Sequence, residues 1–223
     1  MYKKEKYAGL IAGFSLIIMA LAAGFSYGFV QNQLIGETAV QTAQNLADHR
    51  TLFLAGLAGW FVILITDIIV SGALYVFFRR VNRIASILAA AFRILYTIVF
   101  AIAIYRLILI IPRIENAELA GVIHSLINSF ENIWSAGLII FGFHLVVLGF
   151  LSIRSNQVPK ILGYLLYFGG ASYTFINAAW QTTIFEPVII TKVENILALP
   201  MALSELLLAF WFIYKGFKKT TGQ

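Results

Sequence analysis

The chain has no cysteine, which excludes disulfides, thiolate metal sites and a cysteine nucleophile. Charge is scarce: Asp, Glu, Lys and Arg make up 12% of the 223 residues, about half the share of an ordinary soluble domain. Proline occurs four times. There is no G-x-S-x-G, no H-E-x-x-H and no glycine-rich phosphate loop, so no familiar hydrolase or nucleotide template fits and no cofactor is implied. Basic residues outnumber acidic ones, sixteen to ten, but they sit in short clusters beside apolar runs and form no basic stripe. That arrangement argues against nucleic acid as a partner and for a lipid bilayer.

What the chain does have is apolar length. Hydrophobic residues make up 61% of it, and the mean hydropathy is +0.88. A soluble core does not absorb that much apolar surface, so the fold class is all-α, a polytopic membrane bundle. Six apolar runs predict six transmembrane helices, at about 7–30, 53–78, 84–111, 133–153, 161–185 and 196–217, in a single membrane domain covering 1–223. The first run continues well past Ala20-Leu21-Ala22, which favours a retained span over a cleaved signal peptide.

Between the runs, residues 31–51 are polar and predict a short surface helix or loop. In 113–132, Val122, Leu126, Ile127 and Phe130 recur at near-helical spacing and predict an interfacial amphipathic helix. Pro112 ends the third run, Pro159 introduces the fifth, and Pro200 is expected to kink the sixth. Residues 186–195 read as a short polar loop. Trp60, Trp134, Trp180 and Tyr27 fit an outer aromatic belt.

Six spans place both termini on one side of the membrane. Eleven basic residues fall on that side: Lys3, Lys4, Lys6, Arg79, Arg80, Arg83, Arg154, Lys160, Lys215, Lys218 and Lys219. The opposite loops hold only Arg50, Arg113 and Lys192. The excess predicts cytoplasmic termini in a multi-pass protein of the cell membrane.

With those basic ends as ruler marks, four ionisable residues share one depth. Asp67 is twelve residues from Arg79, Arg93 ten from Arg83, His144 ten from Arg154 and Glu205 ten from Lys215. Each therefore lies about 15–18 Å along its helix from the basic edge, near the middle of a ~30 Å hydrocarbon core. Charge is costly there and turns inward toward partners. The second, third, fourth and sixth helices thus predict a buried network of Asp67, Arg93, His144 and Glu205, with Tyr173 and Asn177 of the fifth helix slightly further out. One guanidinium against two carboxylates leaves a negative charge over, which a protonated His144 or a protonated acid would balance. A small ligand or a proton is the partner this predicts. No metal is predicted, because Asp67, His144 and Glu205 come from three helices without a ligand spacing, and Arg93 opposes a dication.

The segment from His144 to Tyr173 also resembles a known family. It carries His144-Leu145, Leu148-Gly149 and Pro159-Lys160-Ile161-Leu162-Gly163. Outside it, Asp67, Ala73-Leu74-Tyr75, Val81-Asn82, Phe92-Arg93, and Glu205 with Trp211 and Lys215-Gly216 extend the likeness over nearly the whole chain. The pattern resembles the bacterial six-helix membrane proteins grouped as the domain of unknown function 4386 family. Arg80 stands where members often have proline, and Asn156-Gln157 where they have Gly-Tyr. The resemblance implies an inner-membrane protein and brings no activity.

Three readings of function follow. The first is binding or passage of a small ligand or proton at the buried network. The second is a structural or accessory subunit whose network only holds the bundle together. The third is an intramembrane enzyme acting on lipid through His144 and the acids.

Overall fold

The computed structural model describes residues 3–182 and 184–218; Lys219, counted above among the basic residues, lies outside them. Every regular element among the described residues is helical. Helix α1 is Lys3–Ala23, continued by a π-helical stretch, Gly24–Gln31, and a last turn, Asn32–Leu34. The others are α2 Ala39–Asp48, α3 Arg50–Phe78, α4 Arg83–Ile108, α5 Ala120–Arg154, α6 Lys160–Trp180 and α7 Pro187–Phe217.

The ends follow local chemistry. Thr38 Oγ1 accepts from the Gln41 N–H and caps α2, and Asn82 Oδ1 accepts from the Ala85 N–H and caps α4. Pro187 occupies the first turn of α7, where its missing N–H costs nothing. Helix α4 stops at Ile108, and Pro112 lies in a short 3₁₀ turn beyond it, Ile111–Arg113.

Among the described residues, five helical stretches are long and apolar enough to cross a membrane: Lys3–Leu34, Arg50–Phe78, Arg83–Arg113, Ala120–Arg154 and Pro187–Phe217. The chain is thus a multi-pass helical membrane protein. Helix α6 is long enough at 21 residues, about 31 Å, but it is diluted by Gly, Tyr, Ser, Thr and Asn. It packs between α5 and α7. In chain order α1, α3, α4, α5, α6 and α7 each pack on the next, and α7 returns to α1. The six long helices form a closed ring.

Two connections differ from the sequence expectation. The region expected to hold a separate interfacial helix is the start of α5, which runs unbroken for 35 residues. Its inward stripe is Ile123, Ile127 and Phe130, packed on α2, while Val122 faces outward. The expected polar loop at 186–195 is the first part of α7; Ile190 is buried there against Ile176 and Ala179. In both places a few apolar residues on one face suffice to carry the helix on. The 31–51 region does contain a short helix, α2, which buries Thr42, Ala43 and Leu46. Trp60 is not a belt residue. It is 4% exposed and packs against Phe100, Phe130 and Trp134 with ring centroids 5.2–5.7 Å apart.

The α5–α6 seam is close, and glycine makes it so. A Cβ on Gly170 would stand 2.6 Å from the carbonyl oxygen of Gly142, and one on Gly149 would stand 2.8 Å from that of Gly163. Backbones approach this closely only where side chains are absent.

Candidate functional site

Arg93 lies at the centre of the ring with no exposed surface. Its Nε and Nη2 both donate to one oxygen of Asp67, Oδ1, at 2.9 and 2.8 Å. Its Nη1 donates to Glu205 Oε1 at 2.8 Å and lies 3.1 Å from His144 Nε2. Nη2 also reaches Met19 Sδ at 3.5 Å, and the Phe141 ring lies 5.3 Å from the guanidinium carbon. One side chain on α4 therefore contacts α1, α3, α5 and α7.

Each partner is placed by its own helix. Thr66, buried beside Asp67, turns its hydroxyl back to the Val62 and Ile63 carbonyls of α3 and so makes no claim on the cluster's donors. Ser204 does the same to Met201, beside Glu205 on α7. Ser71 of α3 donates to the Ala90 carbonyl of α4 at 3.2 Å and fixes those two helices one turn from the ion pair.

The state of His144 follows from its partners. Its Nδ1 is 2.8 Å from the Ala89 carbonyl oxygen, which only accepts, so Nδ1 carries the proton. Arg93 only donates, so Nε2 is bare and accepts. His144 is the neutral Nδ1–H tautomer. Of the two ways to balance the charge that the sequence allows, a protonated His144 would set an N–H against Nη1, and the geometry rejects it.

That leaves one cation facing two carboxylates. Asp67 is 1% exposed, and its Oδ2 has no hydrogen-bond partner among the described residues. The Glu205 side chain is 17% exposed. The two acids are thus unequal: one is enclosed with a bare oxygen, the other stands at the edge of the cluster.

All four primary candidates meet. The two secondary ones do not join them directly. The Tyr173 ring packs edge-on against Phe141 at 5.3 Å, one layer out from Arg93, and the Asn177 amide donates to the Tyr173 carbonyl of its own helix. Met19, Phe141 and the Ala89 carbonyl went unrecognised in the sequence, because a thioether, a phenyl ring and a main-chain oxygen carry no charge signal in an apolar run. Among the described residues, no group of three or more His, Asp and Glu could share a metal ion. The guanidinium occupies the space between them. Both ring nitrogens of His144 are engaged, so neither is poised to take a proton from a nucleophile.

A closed ring of apolar helices around a buried ionic centre defines this molecule as a polytopic helical membrane protein. The chain belongs to the family described as a domain of unknown function (DUF4386), whose model matches residues 11–216. It is 32% identical over 163 residues to an uncharacterized protein of Archaeoglobus fulgidus, an alignment that covers 73% of this chain and 84% of that one. No solved structure matches it.

Proposed function

We propose that the chain crosses the cell membrane six times, with both termini in the cytoplasm, and that its central cluster binds a proton at the Asp67–Glu205 pair. The single observation behind this is the charge count. With His144 neutral, Arg93 offsets one carboxylate and not two. An uncompensated carboxylate in hydrocarbon costs several kcal/mol, and a proton is the smallest species that removes it. Arg93 is the permanent counter-charge, since a guanidinium does not give up its proton. Glu205, at the partly exposed edge, is the residue through which a proton enters and leaves. Asp67 is the enclosed site.

The sixth span is α6. Its place between α5 and α7 supports this reading, as does its outward face of Ile161, Tyr164, Phe168 and Phe175, which suits lipid.

The test is infrared difference spectroscopy on the purified protein in lipid. A protonated carboxylic acid has its own carbonyl band. That band should be present in the native protein and lost in Glu205→Gln or Asp67→Asn, while the helical amide signal stays unchanged. No carboxylic band in the native protein would sink the proposal.

A second reading rests on a different observation. Among the described residues, neither the cavity beside Ser26, Phe53 and Trp60 nor the one beside Lys3 and Arg79 is lined by Asp67, Arg93, His144 or Glu205. That favours a network whose task is to fix four helices in register. In that case replacing Asp67 and Arg93 together by neutral residues preserves folding and the cellular phenotype.

A further inference from the structure

The basic end of the bundle holds a second polar constellation, separate from the central cluster. A cavity of about 230 Å³ opens between the first turn of α1 and the end of α3, lined by Lys3, Lys4, Glu5, Val76, Arg79 and Arg80. Glu5 is 3% exposed although it sits among cations. Its carboxylate receives Arg80 Nε at 3.3 Å and Gln157 Nε2 at 3.2 Å. Gln157 is itself fixed, because its main-chain carbonyl accepts from Trp211 Nε1 at 3.0 Å. The buried acid therefore pins the start of α1 to the α5–α6 turn and to α7. Its charge is met from the side by Arg80, while Lys3, Lys4 and Arg79 line the same concavity.

We propose that this cavity binds a phosphate ester, and that the ester is the headgroup of an anionic lipid in the same leaflet. Three points carry the assignment. The lining has four cations against one acid, and that acid already receives two donors, so the cavity favours an anion. Its cations suit phosphate: a guanidinium offers a planar fork of donors, and ammonium groups supply point charge. Its position suits a lipid. Val76, two residues before the end of α3, gives the lining an apolar side where the membrane-spanning run ends, and the cations give it a charged one. A phosphate carrying acyl chains satisfies both sides, whereas a free phosphate would use only the charged one. The site is independent of proton binding at Asp67 and Glu205.

The experiment uses the full-length protein in neutral detergent, with phosphatidylglycerol, phosphatidylcholine or inorganic phosphate added, read by native mass spectrometry and by thermal unfolding. Phosphatidylglycerol should be retained and should raise the melting temperature; phosphatidylcholine should do neither. In Lys3→Gln/Lys4→Gln/Arg79→Gln, phosphatidylglycerol affinity should fall at least about tenfold. Arg154→Gln/Lys160→Gln/Lys215→Gln removes the same charge from the same end and should keep it. If the pocket variant does not fold, Lys4→Gln alone should fold and show a partial loss. Equal losses in the two triple variants, or undiminished binding in the pocket variant, would overturn the site. Stabilisation by millimolar inorganic phosphate that also displaces phosphatidylglycerol would overturn the lipid assignment in favour of a soluble phosphate. Retained binding in Glu205→Gln is expected, and its loss would tie the cavity to the central cluster and defeat the claim of independence.

Discussion

Arg93 Nη1 and Glu205 Oε1 meet at 2.8 Å, although the residues are 112 positions apart and lie on helices that are not neighbours in the ring. The contact crosses the interior of the bundle. Asp67 approaches the same guanidinium from the adjacent helix, so the two acids share one cation.

Sharing predicts strong non-additivity. Asp67→Asn or Glu205→Gln alone leaves one carboxylate for Arg93, and each should change stability by no more than about 1 kcal/mol. The double variant strands a buried guanidinium and should lose about 3–5 kcal/mol. Unfolding equilibria in lipid micelles would measure this. Two additive single effects would count against the shared pairing.

His144 should be more replaceable than Arg93. Removing its ring takes away two hydrogen bonds, but Nη1 keeps Glu205. His144→Leu should therefore cost about 1–2 kcal/mol. Nitrogen NMR of the native protein should find His144 protonated on Nδ1 and bare on Nε2. A signal from a ring protonated on both nitrogens would contradict the tautomer and the charge count built on it.

The α5–α6 seam should reject one methyl group. A Cβ at position 170 would press on main-chain atoms, the Gly142 carbonyl oxygen and the Val146 nitrogen at 2.9 Å, which have no rotamer to move into. Gly170→Ala should lose about 1–3 kcal/mol by overpacking. Gly72→Ala, where a Cβ would meet nothing within 4 Å, should be neutral or slightly stabilising. Comparing the two melting temperatures isolates packing from helix propensity.

The absence of native cysteine makes topology directly measurable. Asn116→Cys and Glu186→Cys introduce exposed thiols in the connections before α5 and α7, and Asn156→Cys does so before α6. In intact cells an impermeant maleimide should label the first two and spare the third. If α6 did not span, the two ends of that helix would label alike.

The meeting of Asp67, Arg93, His144 and Glu205 was legible in the sequence because charge is rare in these runs, and a similar spacing of ten to twelve residues from the basic ends measured their depth. Depth does not measure azimuth. Tyr173 and Asn177 stand at a suitable level, yet one packs a layer out and the other bonds to its own helix. The helix ends were harder for a related reason. Hydropathy reports where lipid stops, not where the helix stops. Thus α5 begins at Ala120 and α7 at Pro187, both well before their apolar runs. Trp60 looked like an interfacial anchor by composition alone, and three aromatic neighbours from other parts of the chain enclosed it.

The Ala89 carbonyl that receives His144 lies four residues before Arg93, in the turn whose main-chain ladder supports that arginine. The imidazole thus grips α4 twice, once by its backbone and once by the side chain that backbone carries. A slide of α4 along α5 therefore strains both bonds at once. Glu205 reaches the same arginine from α7 through a single oxygen. Of the ties that Arg93 makes, the one to α7 thus rests on a single carboxylate oxygen, whereas the one to α5 is backed by a second bond to the main chain.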